Sequence, residues 1–500
     1  MQLPSPSRGV TAVTAAVACL ATAAVTAGLL ERRRVTLGLL ALAALAVMVA
    51  VTWRRIPGLR VERVFKAVLF LLPAAALVGS AAAVPGFPQI FAFRLLVAVA
   101  IVAGLVWALA RRRLRLEAPR GIAYLFVAWF AWLTLALLWA PSKTDAFRYL
   151  GLMLLEAVLM AATACAGTSR RWLRGVMATL AAVYALSLVV AVAEVATGRH
   201  LASSAGSHGG RTHIATGFLY NPNDLATFIA LSWPFLLVVL VAGRGRLARG
   251  AALAGLGLGA WVALQTGSRA NMVAIALVTV VAPFLLARRG WLRHRAVAGA
   301  VAVAAAVVFG ALAVNTSENA VLRQFRLTSF AESVQTGEGS GGTRVALLRA
   351  GAEVGSSYFF LGVGPGNAEA LVKVQPDAPA DVANLHNWWA EVFVNGGLPA
   401  LVIFVVLYVT LMRVATRVSR RARDPYLQRV AAGVFLALIG YVVGCLGPST
   451  VISFAPMWIL FGLALAVAIA GRRETDGRWD DTAAGGDDGP AARTVGDRAP

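Results

Sequence analysis

Apolar runs of about 18 or more residues recur along nearly the whole of this 500-residue chain, and one such run crosses about 30 Å of hydrocarbon as a helix. In lipid no water meets an open backbone N–H or C=O, so only helices or a closed barrel can span. A barrel would show short strands of alternating polarity, which are missing from these long uninterrupted runs. The chain therefore reads as an all-α, polytopic helical membrane protein with about 12–14 transmembrane helices. The predicted spans are roughly 10–30, 35–53, 66–84, 88–110, 121–140, 147–166, 175–197, 222–242, 250–267, 272–287, 296–314, 396–415, 428–446 and 452–470. With 59% hydrophobic and only 14% charged residues, a soluble surface could not be covered.

The net charge of +23 would suit a nucleic-acid binder if it formed one patch, but it sits in short clusters between apolar spans. No nucleic-acid partner is expected; the bilayer is. Nearly all the positive charge is arginine, with lysine only at Lys66, Lys143 and Lys373. Together with the Ala, Gly and Val richness, this suggests a GC-rich bacterial genome. The clusters at 54–63, 111–115, 169–174, 244–249, 288–295 and 417–423 occupy alternate connections. Positive charge marks the cytoplasmic side of a bacterial inner membrane, so these connections and both termini are expected inside. One cluster, ERRR at 31–34, falls outside in that arrangement. Cys19, Cys165 and Cys445 lie within apolar runs and read as small core residues.

Four regions follow: an N-terminal bundle over 1–314, a large extracytoplasmic loop over 315–395, C-terminal spans over 396–470 and a polar, disordered cytoplasmic tail over 471–500. A second outer connection covers 198–221. A loop as long as 315–395 is uncommon in a compact bundle unless it has a function. Its stretches TRVALLRAGAEV (343–354) and NLHNWWAEVFV (384–394) have the pattern of helices lying along the membrane surface.

Charges at membrane depth draw attention first: Arg94 within the fourth span, Glu156 in the sixth, Glu194 near the outer end of the seventh, and Arg269 at an outer junction. Snorkelling to headgroups, or pairing with a carboxylate such as Glu194, accounts for Arg94 and both glutamates more simply than chemistry does. For Arg269 the two readings weigh equally. In the large loop Arg344 and Arg349 open a helix-like segment, LGVGPGN (361–367) forms a glycine-rich turn, and His386 follows beside Trp388 and Trp389. The glycine run lacks the strand before and the helix start after that a dinucleotide fingerprint needs, so a phosphate cradle is rejected. The two tryptophans could stack on sugar rings, although membrane-interface tryptophans are commoner. The histidines at 200, 208 and 213 lack regular metal spacing, and neither a metal nor a cofactor is expected.

Four stretches, GFLYNPNDLATFIAL (217–231), TGSRANMVAIAL (266–277), GTRVALLRAGAEV (342–354) with LGVGPGN, and LHNWWAEVFVNGGLPALVIF (385–404), resemble the landmarks of the O-antigen ligase and polymerase superfamily. They occur in that family's order and spacing, over about 217–415. The resemblance implies metal-independent glycan transfer from undecaprenyl diphosphate to an acceptor hydroxyl, outside the inner membrane. It also implies that Arg269 and Arg344 hold the lipid diphosphate and that the loop histidine is His386. The run NWWAEVF departs from the family's usual aliphatic pattern. The acceptor would be a glycan, a lipid or a wall polymer, with other polysaccharide export proteins as further partners.

Charge builds on the bridging oxygen as a diphosphate leaves, and two planar guanidiniums can clamp it while staying charged. A neutral imidazole with an ordinary pKa of about 6.5 can take the proton from the attacking hydroxyl. Attack opposite the leaving group inverts the anomeric carbon. Supporting candidates are Arg94, Asn387, Arg349 and Glu391, the last as a residue that orients His386. A polymerase is placed slightly ahead of a ligase. The rival from another class is a secondary transporter of a small solute, which would account for the many spans and the buried charges, although no internal repeat is evident. A non-enzymatic scaffold for envelope assembly is the third reading.

Overall fold

The structure, a computed structural model, describes residues 61–84, 87–111, 118–204, 213–288, 290–291, 339–376, 384–448 and 452–479. Among the described residues eight helices precede the large loop: α1 (Val61–Val78), α2 (Ala92–Arg111), α3 (Arg120–Leu135), α4 (Lys143–Ala164), α5 (Arg170–Thr197), α6 (Pro222–Ala242), α7 (Arg246–Thr266) and α8 (Arg269–Ala287). Within the loop lie α9 (Gly339–Ser357) and the short α10 (Ala368–Lys373), followed by α11 (Trp388–Arg421), α12 (Pro425–Gly444) and α13 (Ala455–Thr475). Nine of these are long and apolar enough to cross a membrane, and α1 and α2 contain shorter apolar segments. Eleven of the fourteen predicted spans thus coincide with helices, while those at 10–30, 35–53 and 296–314 lie outside the described residues, as do the 31–34 cluster and the tail beyond Trp479. The protein is a multi-pass membrane protein of all-α class.

Helix starts follow short polar signals. Ser142 accepts from the Asp145 N–H at the head of α4, Ser169 from Trp172 at α5, Asn221 from Asp224 at α6 and Asp424 from Tyr426 at α12. Each satisfies a donor that the first helical turn leaves open. Pro222 and Pro425 sit at first positions where no N–H is needed. One small antiparallel strand pair, Ala83–Val84 with Phe87–Phe91, precedes α2 and is not anticipated by hydropathy. It shortens the fourth span: Arg94 lies in the first turn of α2 and is exposed, not deep within the span as predicted, and its guanidinium covers the Phe91 ring at 4.9 Å.

The interior is centred on α13, almost wholly buried among α4, α11, α12 and α1. Around it Trp129 of α3, Trp388 and Phe404 of α11, and Trp458 and Phe461 of α13 pack edge to face and tilted at 5.1–6.4 Å. Trp388 is therefore a core residue, and Trp389 packs on Phe404 and Tyr408 while its Nε1 donates to the Val442 carbonyl at 3.3 Å. The structure replaces the sugar-stacking expectation for Trp388 with aromatic packing.

The arginine-rich connections before α5, between α6 and α7 and between α11 and α12 meet at one end of the bundle. Arg170 pairs with Asp424 at 3.1 Å, Arg174 covers the Tyr426 ring at 5.4 Å, and Arg429 donates to the Ala242 carbonyl at 3.2 Å. Because α5, α7 and α12 begin at this end and α6, α8 and α11 finish there, residues 198–204 and 213–221, the α7–α8 turn, the start of α11 and residues 445–448 after α12 lie at the other. Charge clustering on one end is the pattern expected of a chain oriented by its arginines.

At that opposite end the helix α11 breaks. Gly397 has φ of 72°, in the left-handed region, and its neighbour across a tight crossing is Gly362, φ 85°. A Cβ on Gly362 would lie 2.4 Å from the Gly397 nitrogen, and one on Gly397 would lie 2.3 Å from the Leu361 carbonyl carbon. The predicted boundary between loop and span at 395–396 falls beside this kink, where two helical stretches join at Gly397. Gly362→Ala is expected to lower stability by about 2–5 kcal/mol, from left-handed strain and overpacking together. Thermal unfolding of the purified protein in detergent should show a clear drop, with Gly121→Ala, whose methyl meets nothing within 4 Å, unchanged. Equal melting temperatures for the two variants would remove the crossing as a structural constraint.

Candidate functional site

Arg269 opens α8 immediately after a tight turn. Gly267 ends α7 with φ 68°, its N–H donating to Leu264 at 3.2 Å, and Ser268 is buried. Asn271 is fully buried and donates through Nδ2 to Ser268 Oγ at 3.0 Å and to the Asn223 carbonyl at 3.3 Å. The SRAN turn is thereby tied to the NPND turn that caps α6. Gly447 of the α12–α13 link presses on the same point, where a Cβ would lie 2.3 Å from Asn271 Nδ2. Small and amide residues let these three connections touch.

Arg344 is positioned by the loop's own apolar core. On α9 Leu347, Ala350 and Val354 recur at helical spacing and are buried against Leu385 and Val394, with Val363, Ala368 and Val372 closing the cluster. Arg344 lies one turn before Leu347 and is half-buried, whereas Arg349 is exposed. A helix is therefore present over 343–354, one face of it buried in the loop's own cluster. The second predicted amphipathic segment, NLHNWWAEVFV, forms the first turns of α11, and Asn387 caps it, accepting from Trp389 at 3.0 Å and Ala390 at 3.4 Å. The structure gives Asn387 this capping task.

His386 is held in an unusual conformation, φ 47°, in the left-handed region that side chains other than glycine rarely adopt. Its N–H donates to Asn384 Oδ1 at 2.7 Å, and Asn384 Nδ2 donates in turn to Glu369 Oε1 at 2.8 Å. Nδ1 of His386 faces the Pro448 carbonyl at 3.4 Å. A carbonyl can only accept, so this contact places the ring proton on Nδ1 and the lone pair on Nε2. Glu391, expected to orient His386, is instead engaged by Tyr149 of α4, whose hydroxyl donates to Glu391 Oε1 at 3.2 Å. The orienting partner of the imidazole is the Pro448 carbonyl.

Arg344 lies within electrostatic reach of both Arg269 and His386. Burial, and after it the nearby Arg269 guanidinium, lowers the pKa of Arg344 from the ordinary arginine value. Burial also lowers that of His386, followed by the charge of Arg344, while the Pro448 contact acts the other way. Two guanidiniums gathered beside a neutral imidazole make a site of concentrated positive charge at the end opposite the arginine-rich connections. Of the other supporting candidates, Arg94 lies over the Phe91 ring and Arg349 is exposed on α9.

The glycine-rich turn serves packing. The Val363 N–H donates to the Val394 carbonyl at 2.9 Å and that of Gly364 to Asn395 at 3.0 Å, directing both donors into the protein. Trp139 Nε1 donates to the Gly362 carbonyl at 2.7 Å, and the Ser142 N–H to Asn367 Oδ1 at 2.7 Å. The turn thus staples the large loop to the α3–α4 connection, in accord with the rejected phosphate cradle. Glu194, at the far end of α5, clasps the other outer connection: it accepts from the N–H groups of Thr216 and Gly217, both at 2.7 Å, and pairs with His200 at 3.2 Å. A structural role for Glu194 is what the simpler reading expects. Among the described residues no three His, Cys, Asp or Glu side chains gather as a metal site would need.

Sequence reasoning missed Asn384, Asn271 and Pro448. An Asx turn two residues before His386 was a usable signal for Asn384. Pro448 stands 62 residues away, and only the fold brings it to the imidazole.

The O-antigen ligase family model matches residues 254–405, a region containing Arg269, Arg344, the glycine-rich turn and His386. The chain is also similar to the teichuronic acid biosynthesis protein TuaE of Bacillus subtilis (strain 168), 26% identical over 435 residues, which cover 82% of this chain and 86% of that protein. Both matches bear out the resemblance carried by the four stretches.

Proposed function

We propose that this chain, which belongs with the membrane glycan ligases and polymerases of the O-antigen ligase superfamily, transfers a glycan from undecaprenyl diphosphate to an acceptor hydroxyl on the outer face of the bacterial inner membrane. The observation that carries the reading is the convergence of Arg269, Arg344 and His386 at the end of the bundle opposite the arginine clusters. In the reaction the two guanidiniums hold the diphosphate of the donor and stabilise the negative charge that grows on its bridging oxygen. Nε2 of His386, its Nδ1 facing Pro448, accepts the proton of the attacking hydroxyl. The new glycosidic bond forms as the bond to the diphosphate breaks, with inversion at the anomeric carbon.

Polymerisation of a surface polysaccharide is the favoured outcome, and the name of the Bacillus relative, a teichuronic acid biosynthesis protein, supports a polysaccharide product. The test is to delete the protein from its host and analyse the lipid-linked intermediates. Accumulation of single repeat units on the carrier is expected. Accumulation of finished long chains on the carrier would make it a ligase. Unchanged lipid-linked pools, together with solute uptake by vesicles containing the purified protein, would replace both readings with a transporter.

A further inference from the structure

At the arginine-rich end, two adjoining hollows lie where α8, α11 and α12 meet, with Thr416, Arg420 and Phe435 in the walls of both. Arg413, Arg417 and Arg421 of α11 line one hollow, and Arg288 at the end of α8 lines the other together with Trp291 and Gln428. Arg413, Arg417, Arg420 and Arg421 follow helical spacing, so they form a single stripe along α11. Among the described residues lining the two hollows there is no carboxylate. Towards the middle of the bundle the same stripe becomes apolar and exposed, with Val402 at 52%, Val405 at 42%, Val406 at 46% and Val409 at 37%.

A face of α11 that passes from exposed valines, through Val409 and Met412, to four arginines, with Arg288 in the wall of the adjoining hollow, has the chemistry of one kind of occupant. It needs an acyl chain against the valines and Met412, and a phosphate between the arginines. A soluble anion would leave the apolar half uncovered, and a zwitterionic lipid would set its own cation against the arginines. We propose that this groove is a binding site for an anionic phospholipid of the leaflet at the arginine-rich end. The site is separate from the one holding His386 and does not depend on the reaction proposed there. Basic hollows between membrane helices suit acidic headgroups in this way, and each arginine near the surface contributes about 1 kcal/mol, or about fivefold in affinity.

The full-length protein, delipidated in detergent, is to be titrated with a short-chain phosphatidylglycerol, and the bound lipid counted by native mass spectrometry. The wild type is expected to bind it, and Arg413→Gln with Arg417→Gln to weaken binding roughly 25-fold. A control pair at the same end but off the groove, Arg171→Gln with Arg246→Gln, is expected to bind like the wild type. Equal loss in both pairs would mean that only general charge at this end matters, and would overturn the site. Equally tight phosphatidylcholine binding would reduce it to an apolar groove. Displacement of the lipid by millimolar inorganic phosphate would make it a free-anion site. Wild-type binding by the Arg413, Arg417 pair would show that the arginines do not face a lipid, for instance because another segment of the chain fills the groove.

Discussion

Replacing His386 with alanine is expected to stop glycan transfer while leaving the protein inserted, folded and able to bind its lipid-linked donor. The imidazole is half-buried at the start of α11, and its ring meets the Pro448 carbonyl, so its removal opens little of the core. The Trp388 side chain that follows carries the packing there. Losing a general base costs on the order of 100- to 10,000-fold in rate. The pH dependence gives a second readout. Burial and the Arg344 charge lower the pKa of His386, and the base works only when neutral. Turnover should therefore persist as the pH falls through the ordinary histidine range and decline only below it. An acid limb at or above about 6.5, or full activity in the alanine variant, would take the proton-transfer role away from His386.

Arg269→Lys and Arg344→Lys are each expected to be severe although the charge is kept. Lysine offers a point charge without the planar fork that meets two phosphate oxygens at once. A hydrogen bond between charged partners contributes about 1.5–3 kcal/mol, so losing one of the two predicts a roughly 10- to 150-fold fall in kcat/KM. Because the two guanidiniums lie close enough for Arg269 to lower the pKa of Arg344, they should act as one unit. The double lysine variant should then be only slightly worse than either single one. Steady-state assays with a lipid-diphosphate donor decide this. Strictly multiplicative losses would mean that the two arginines serve separate sites.

Much of the fold can be read from apolar length alone, because lipid leaves the backbone of a long hydrophobic run no alternative to a helix. The runs at 121–140 and 222–242 became α3 and α6 with ends close to those predicted. The arginine clusters likewise announced which ends share a side, since charge is excluded from hydrocarbon whatever the packing. Failures came where packing decided. Arg94 moved to a helix start because a strand pair consumes the residues before it. Trp388 became core, and Glu391 was drawn to Tyr149, because the first turns of α11 fold into the bundle and do not lie along its surface. At the site itself the four stretches located Arg269, Arg344 and His386, but composition says nothing of Asn384 or of a carbonyl 62 residues away.

That distant carbonyl has a consequence for biogenesis. His386 is reached by the ribosome well before Pro448, and the Trp388 N–H faces the Cys445 carbonyl at 3.4 Å in the same late connection. The large loop is thus synthesised before the link that orients its histidine, and the His386–Pro448 contact can form only once α12 and the link after it are in place. If His386 is the base proposed above, a nascent or truncated chain that stops short of α12 is expected to be inactive, because the imidazole then lacks its orienting carbonyl.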